Sequence, residues 1–168
     1  TQDDGFVDVY LHAAYLEDAM ETAKERLLIV SPWITDGVVN NKFLERLERL
    51  LNKPNFHATI AWHYEDRREQ RDSPRAIRAL LKLATKYSKF HFIKIASTHA
   101  KILLKDSEYY ISSSFNWLSY RGDRGTQLRM EIGEKRDEPQ VVNSRFRSIT
   151  EDISHRGSPT QESDIPAR

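Results

Sequence analysis

The chain of 168 residues contains no cysteine. That excludes disulfides, a thiol nucleophile and thiolate metal sites, and it agrees with a protein of a reducing compartment. No apolar run approaches the roughly 18 residues of a membrane span, and no signal-peptide pattern is visible. A cytoplasmic protein without a membrane partner is the expectation. Internal repeats are missing too. Net charge is nearly so, at +1 from 26 Lys and Arg against 25 Asp and Glu. That balance hides an asymmetry: from His63 to Lys105 there are eleven Lys or Arg and only four acids. Such a basic segment suits a polyanionic partner, nucleic acid first. The chain starts at Thr1 rather than Met, which suggests a processed protein or a piece of a longer one with further domains.

What is present reads as one globular domain, since the length suffices for a sizeable core. Phe6 to Tyr10 suits a first strand. His12 to Arg26 carries Leu16, Ala19, Met20 and Ala23 at helical spacing. Leu27 to Val30 is a continuous apolar run, expected as a central strand buried on both faces. A loop from Ser31 to Thr35 follows, then a helix over Val38 to Leu51. Phe56 to Trp62 is the next strand. Ser73 and Pro74 open a third helix that runs to about Tyr87. Phe90 to Ile95, Tyr109 to Ser112 and Leu128 to Ile132 are further strands, and Pro139 to about Ile153 a last helix. The tail from His155 reads as linker or disorder, leaving residues 1–154 as the domain. Strands alternating with helices make this an α/β protein with a mixed β-sheet flanked by helices on both faces.

Chemistry concentrates between His99 and Asn116. On an extended chain the His99 imidazole and the Lys101 ammonium, two residues apart, project from the same face. Lys105-Asp106-Ser107 is turn-like, and the strand after it ends in Ser112-Ser113-Ser114-Phe115-Asn116. One small surface thus combines an imidazole, a fixed positive charge, a hydroxyl and a carboxamide: an anion site with a nucleophile in it.

His99-x-Lys101, four residues, Asp106, six residues, then Ser113-Ser114-Phe115-Asn116 resembles the HKD signature of the phospholipase D superfamily, HxK(x)4D(x)6GSxN. Ser113 stands where the family has Gly. The order of elements from Phe6 to Ile132 is also similar to the family's half-unit. The resemblance implies a metal-independent phosphodiesterase without a cofactor, in which one His attacks phosphorus and a second protonates the leaving oxygen. It makes His99 a catalytic imidazole, with Lys101 and Asn116 holding non-bridging oxygens and Ser114 assisting. Glu131 would orient His99 from its other ring nitrogen. Asp106 joins the same set, although its place between two strands suits it to fixing the hairpin turn.

The chain carries one motif where the chemistry needs two imidazoles. His91 and Lys94 are three apart, so on a strand they face opposite ways, and His12, His57, His63 and His155 have no Lys two residues on. The inference is a homodimer in which His99 of each subunit meets across a two-fold axis; the rival is a second motif on a missing part of the chain. Substrate contacts are proposed from Trp33, which could stack on a base, and from Arg71 and Arg75, which belong to an arginine series that could track phosphates. Arg121 and Arg124, in a loop just past Asn116, complete that set. The expected reaction is endonucleolytic cleavage of DNA, as in the small bacterial endonucleases of the superfamily or the nuclease domains of restriction, defence or repair proteins. The alternatives are a phosphatidyl hydrolase or transferase, and a catalytically silent module for nucleic-acid binding or dimerisation.

Overall fold

The computed structural model describes residues 3–66, 70–120 and 130–167. Its frame is an eight-stranded mixed sheet with helices on both faces. In chain order the elements are β1 (Phe6–Val7), α1 (Val9–Thr22), β2 (Arg26–Ser31), α2 (Asn41–Leu51), β3 (His57–Trp62), α3 (Pro74–Lys86) and β4 (Phe90–Ile95). Then come β5 (Ile102–Lys105), β6 (Tyr109–Ser113), β7 (Gly133–Arg136), α4 (Pro139–Arg156), β8 (Gly157–Pro159) and a 3-10 turn at Glu162–Asp164. The sheet order is β1-β7-β6-β5-β2-β3-β4-β8. The β2–β3 and β3–β4 pairs are parallel, and all the others are antiparallel.

β2 lies in the middle because it can be buried twice. Leu27 and Ile29 point into the larger core, shared with α1, α2 and α3, and Leu28 and Val30 point into the smaller one beneath α4. α2 has its apolar residues on one stripe, Phe43, Leu47, Leu50 and Leu51, all buried. Asn40 caps it by accepting from the Phe43 N–H at 3.0 Å, which moves its start from the expected Val38 to Asn41.

Other boundaries shift for reasons that lie in caps and distant contacts. Asp8 caps α1, accepting from the Leu11 N–H at 2.8 Å, so the helix begins at Val9 and the first strand shrinks to two residues. At its other end α1 stops at Thr22, short of the expected Arg26. The Asp106 carboxylate takes the N–H groups of Lys24, Glu25 and Arg26, and donors so engaged are lost to a helical ladder.

Two expectations need correction. The strand placed over Leu128 to Ile132 is instead β7, Gly133–Arg136, paired with β6 from Tyr110↔Arg136 to Ser113↔Gly133. Met130 to Ile132 carry no strand, and Leu128 lies outside the described residues. β7 reads Gly-Glu-Lys-Arg, with no alternation of apolar residues to reveal it. The tail expected as a linker is folded: β8 pairs antiparallel with β4, and the Trp62 indole N–H donates to Thr160 Oγ1 at 3.0 Å. α4 delivers the chain directly to the open edge of β4. Gly157 permits the contact, because a Cβ there would come within 2.5 Å of Ile93 Cγ2.

Candidate active site

Loops at one end of the sheet converge on an open pocket of about 450 Å³ lined by Trp33, Arg71, His99, Lys101, Ser114, Asn116, Met130 and Glu131. Trp33 follows β2, Arg71 precedes α3, His99 and Lys101 lead into β5, and Ser114 and Asn116 follow β6. The β5–β6 hairpin explains the meeting of the two motif halves. Ile102 pairs with Ser112, and the Ser113 N–H donates to the Lys101 carbonyl at 3.1 Å, so the start of β5 and the end of β6 lie side by side. His99 and Lys101 stand just ahead of the strand rather than on it.

His99 is exposed, with its ring held edge-on to aromatic neighbours. The Tyr64 ring centroid lies 4.2 Å away and that of Trp33 6.2 Å away, both near-perpendicular. The Arg71 guanidinium in turn sits 4.5 Å over the Trp33 ring, a cation–π contact. Lys101 donates through Nζ to the His99 carbonyl at 2.9 Å. Glu131 is buried, and the Ser114 hydroxyl donates to it in a short hydrogen bond. Ser114 is fixed further by the Ile132 N–H at 3.1 Å. Asn116 is almost fully buried, and its Oδ1 has no hydrogen-bond partner. Because carboxamide N and O exchange on a flip, this is an amide end with an unspent valence inside the pocket.

The loop that carries Trp33 is pinned from below by Asp72. Its carboxylate accepts from the Ile34 N–H at 2.8 Å, the Ser73 N–H donates to the Ile34 carbonyl at 2.8 Å, and Ser73 Oγ accepts from the Asp36 N–H at 3.0 Å. Burial pushes the Asp72 carboxyl up to about 6 from an ordinary 3.8, more than the Ile34 bond and Lys94 bring it down. The folded state therefore keeps a proton that the unfolded chain has released. This contribution to stability is complete below about pH 4 and is lost as pH rises to about 6. Asp72→Asn keeps the acceptor without the charge. It is expected to be more stable than wild type by on the order of 2 kcal/mol at pH 8, with no gain at pH 4, as read by thermal unfolding at the two pH values.

Of the residues singled out by sequence, His99, Lys101, Ser114, Asn116, Glu131, Trp33 and Arg71 are brought together. Asp106 is not, and this corrects its place in the catalytic set. It sits in the turn at the far end of β5, with φ 50°, its carboxylate closed over three backbone N–H groups. Arg75 lies on α3 and lines a separate depression with Asp36, Asn40 and Leu44. Arg71 and Arg75 do not share a helix face, because α3 starts only at Pro74. Arg121 and Arg124 fall outside the described residues. Much of the basic segment is neutralised within the protein: Arg78 faces Glu162, Lys86 Glu48, Lys94 Asp164, and Lys105 both Asp18 and Glu108. Trp117 is core, with no exposure. Tyr64, the neighbour of His99, is missing from the set read from the sequence, since a tyrosine after a strand carries no signal of what it will touch. Among the described residues no group of three or more His, Cys, Asp or Glu is placed to hold a metal ion, and no helix is long and apolar enough to cross a membrane.

No protein-family model and no curated protein matches this sequence. Solved structures do. Nuc from Salmonella typhimurium, a phospholipase D family member, superposes with a TM-score of 0.62 at 15% identity over 94% of this chain and 95% of that one. TrmBL2, an archaeal chromatin protein with a novel mode of DNA binding, gives 0.63 at 10% identity over 95% of this chain and 55% of its own. Phosphatidylserine synthase from Haemophilus influenzae gives 0.68 at 13% identity, over the whole of this chain and 40% of that one. At such identities the likeness is one of fold, and it runs through the sheet that carries the pocket. The protein has the α/β fold of the phospholipase D superfamily.

Proposed function

We propose that the protein is a metal-independent phosphodiesterase that cleaves DNA through a phosphohistidine intermediate, in a site completed by a second copy of the chain. The observation that carries this reading is the pocket itself: an exposed imidazole, an ammonium, a hydroxyl bound to a buried carboxylate, and a buried carboxamide with an unspent valence share one lining. A neutral His99 nitrogen attacks phosphorus and the ester P–O bond breaks. The leaving oxygen takes its proton from the second imidazole, which then draws a proton from water as that water displaces His99. Lys101 and Asn116 hold the non-bridging oxygens, where negative charge builds in the transition state. Glu131 fixes Ser114, and the Trp33–Arg71 pair offers a ring and a guanidinium to the flanking nucleotide.

The second copy has a surface suited to it. Among the described residues the exposed large apolar side chains are Phe6, Tyr10, Leu11, Met130 and Ile132. Phe6 lies on edge strand β1, which pairs with β7 directly after Ile132, and Met130 lines the pocket. An apolar edge of this kind beside the site favours association. A second reading, DNA binding without catalysis, is favoured by the likeness to TrmBL2.

The deciding experiment incubates labelled single- and double-stranded DNA with the protein in EDTA, alongside phosphatidylcholine–phosphatidylglycerol vesicles, with light scattering on the same sample. The expected result is DNA cleavage by a dimer and intact lipid. DNA bound but uncut would favour the silent module, and release of the lipid head group would move the substrate to lipids.

A further inference from the structure

Among the described residues, three that are not glycine have positive φ: Asn55 at 61°, Asp106 at 50° and His63 at 115°. The first two sit near the left-handed helical well that Asn and Asp tolerate. His63 lies well outside it, in backbone space that an L side chain rarely enters. Strain of this kind collects where a fold holds a functional group in place.

The surroundings of His63 supply such a group. β3 ends at Trp62, whose ring is buried and whose indole N–H is spent on Thr160. After the turn at His63 the chain is fastened to the stretch that leads into His99. The Thr98 N–H donates to the His63 carbonyl at 2.8 Å, and the Glu65 N–H donates to Ser97 Oγ at 3.3 Å. Between those two bonds stands Tyr64. Its ring centroid lies 4.2 Å from that of His99 at an interplanar angle of 79°, and 5.4 Å from that of Trp33 at 75°. His99 and Trp33 are 6.2 Å apart, so Tyr64 is the nearer ring to each of them. Perpendicular aromatic pairs at such spacings attract and are directional.

We propose that Tyr64 is a positioning residue for His99: the strained turn at His63 delivers its ring edge-on to the imidazole and holds that side chain in one rotamer. Among the described residues the hydrogen bond at His99 falls on its carbonyl, from Lys101 Nζ, and the ring itself is gripped by aromatic edges. Tyr64 does not line the pocket, so it acts through His99 and not on the phosphate. An exposed imidazole free to rotate about χ1 spends most of its time aimed elsewhere, whereas in-line attack needs one ring nitrogen kept on phosphorus.

The catalytic consequence rests on the phosphodiesterase reading above; the geometry does not. Two measurements therefore need no activity. The χ1 couplings of His99, read by NMR, are expected to report one rotamer in wild type and in Tyr64→Phe, and averaging in Tyr64→Ala. A single unchanged rotamer in Tyr64→Ala overturns the proposal. The strain is read by thermal unfolding of His63→Gly and His63→Ala, which both lose the side chain while only the first frees the backbone. Glycine is expected to melt above alanine, the reverse of its usual effect; the ordinary order overturns the strained delivery of Tyr64.

The third measurement follows hydrolysis of bis(p-nitrophenyl) phosphate per folded molecule. Tyr64→Ala is expected to lose about tenfold in kcat with KM little changed, and Tyr64→Phe, which keeps the ring, to restore it. A phenylalanine variant as slow as the alanine one makes the hydroxyl the acting group and overturns the proposal. So does a change confined to KM, which would make Tyr64 a substrate contact. Absence of hydrolysis by wild type would instead fail the phosphodiesterase reading, with the rotamer and unfolding measurements still deciding the role of Tyr64.

Discussion

His99→Ala is expected to lower phosphodiester cleavage by on the order of 10⁴-fold or more while leaving substrate affinity and stability nearly intact. The size follows from the proposed role: removal of the nucleophile of a catalytic unit leaves only the contribution of the remaining binding groups. Lys101, Asn116 and Arg71 stay in the pocket lining, so the phosphate still has its countercharge. The His99 ring is exposed, and its contacts are edge-on to Tyr64 and Trp33. Its loss opens no core cavity, and a melting temperature within a degree or two of wild type is expected. Single-turnover cleavage of labelled DNA, with binding measured on the same variant by fluorescence anisotropy, separates the two effects. A variant that still cuts at a few per cent of the wild-type rate would place the nucleophile elsewhere.

Asp106→Ala is expected to do the opposite: to cost about 4 kcal/mol of stability and to leave the chemistry of the folded fraction unchanged. The Asp106 carboxylate accepts from the N–H groups of Lys24 at 2.9 Å, Glu25 at 2.7 Å and Arg26 at 2.9 Å. Removing it strands three donors in the joint between α1 and β2. The backbone at Asp106 adds to the loss, since φ of 50° is tolerated by Asp, Asn and Gly and strained for Ala. Asp106→Asn keeps one oxygen and the backbone preference, and is expected to lose about half as much. Four strand residues at about 3.3 Å each separate this turn from Lys101, too far for the side chain to reach a bound phosphate. Urea unfolding measures the loss. A cleavage rate per folded molecule that dropped with the mutation would return Asp106 to the site.

These two residues show how far the primary structure reaches. His99, Lys101, Ser114 and Asn116 were legible as a constellation, because the hairpin that joins them is local: strand, two-sided turn, strand, in eighteen residues. A local pattern is recoverable from spacing. Asp106 belongs to the same pattern, yet its role is set by a segment eighty positions earlier in the chain, and spacing says nothing about such a partner. Glu131 was legible as an acid among apolar residues, while the strand assigned around it was displaced. β7 is a polar edge element held by β6, not by its own sequence.

The long-period features behave likewise. Leu27 to Val30 announced a doubly buried strand, α2 was readable from its apolar stripe and α3 from Pro74 at its start, because hydrophobic periodicity and proline stereochemistry act within a few residues. The fold of the tail onto β4 was not readable: Gly157 to Pro159 is polar, and only the open strand edge and the exit direction of α4 put it there. His12 carried no signal at all. A lone histidine on a helix looks alike in water and in a core. The amino-acid sequence by itself determined the α/β class, the main elements and the imidazole–ammonium–carboxamide set, all matters of nearest neighbours along the chain. The tertiary structure alone decided that Asp106 is a clasp, that Tyr64 and Arg71 frame His99 and Trp33, and that His12 is buried against Phe115 and Trp117, because each depends on which distant backbone edge was free to be paired.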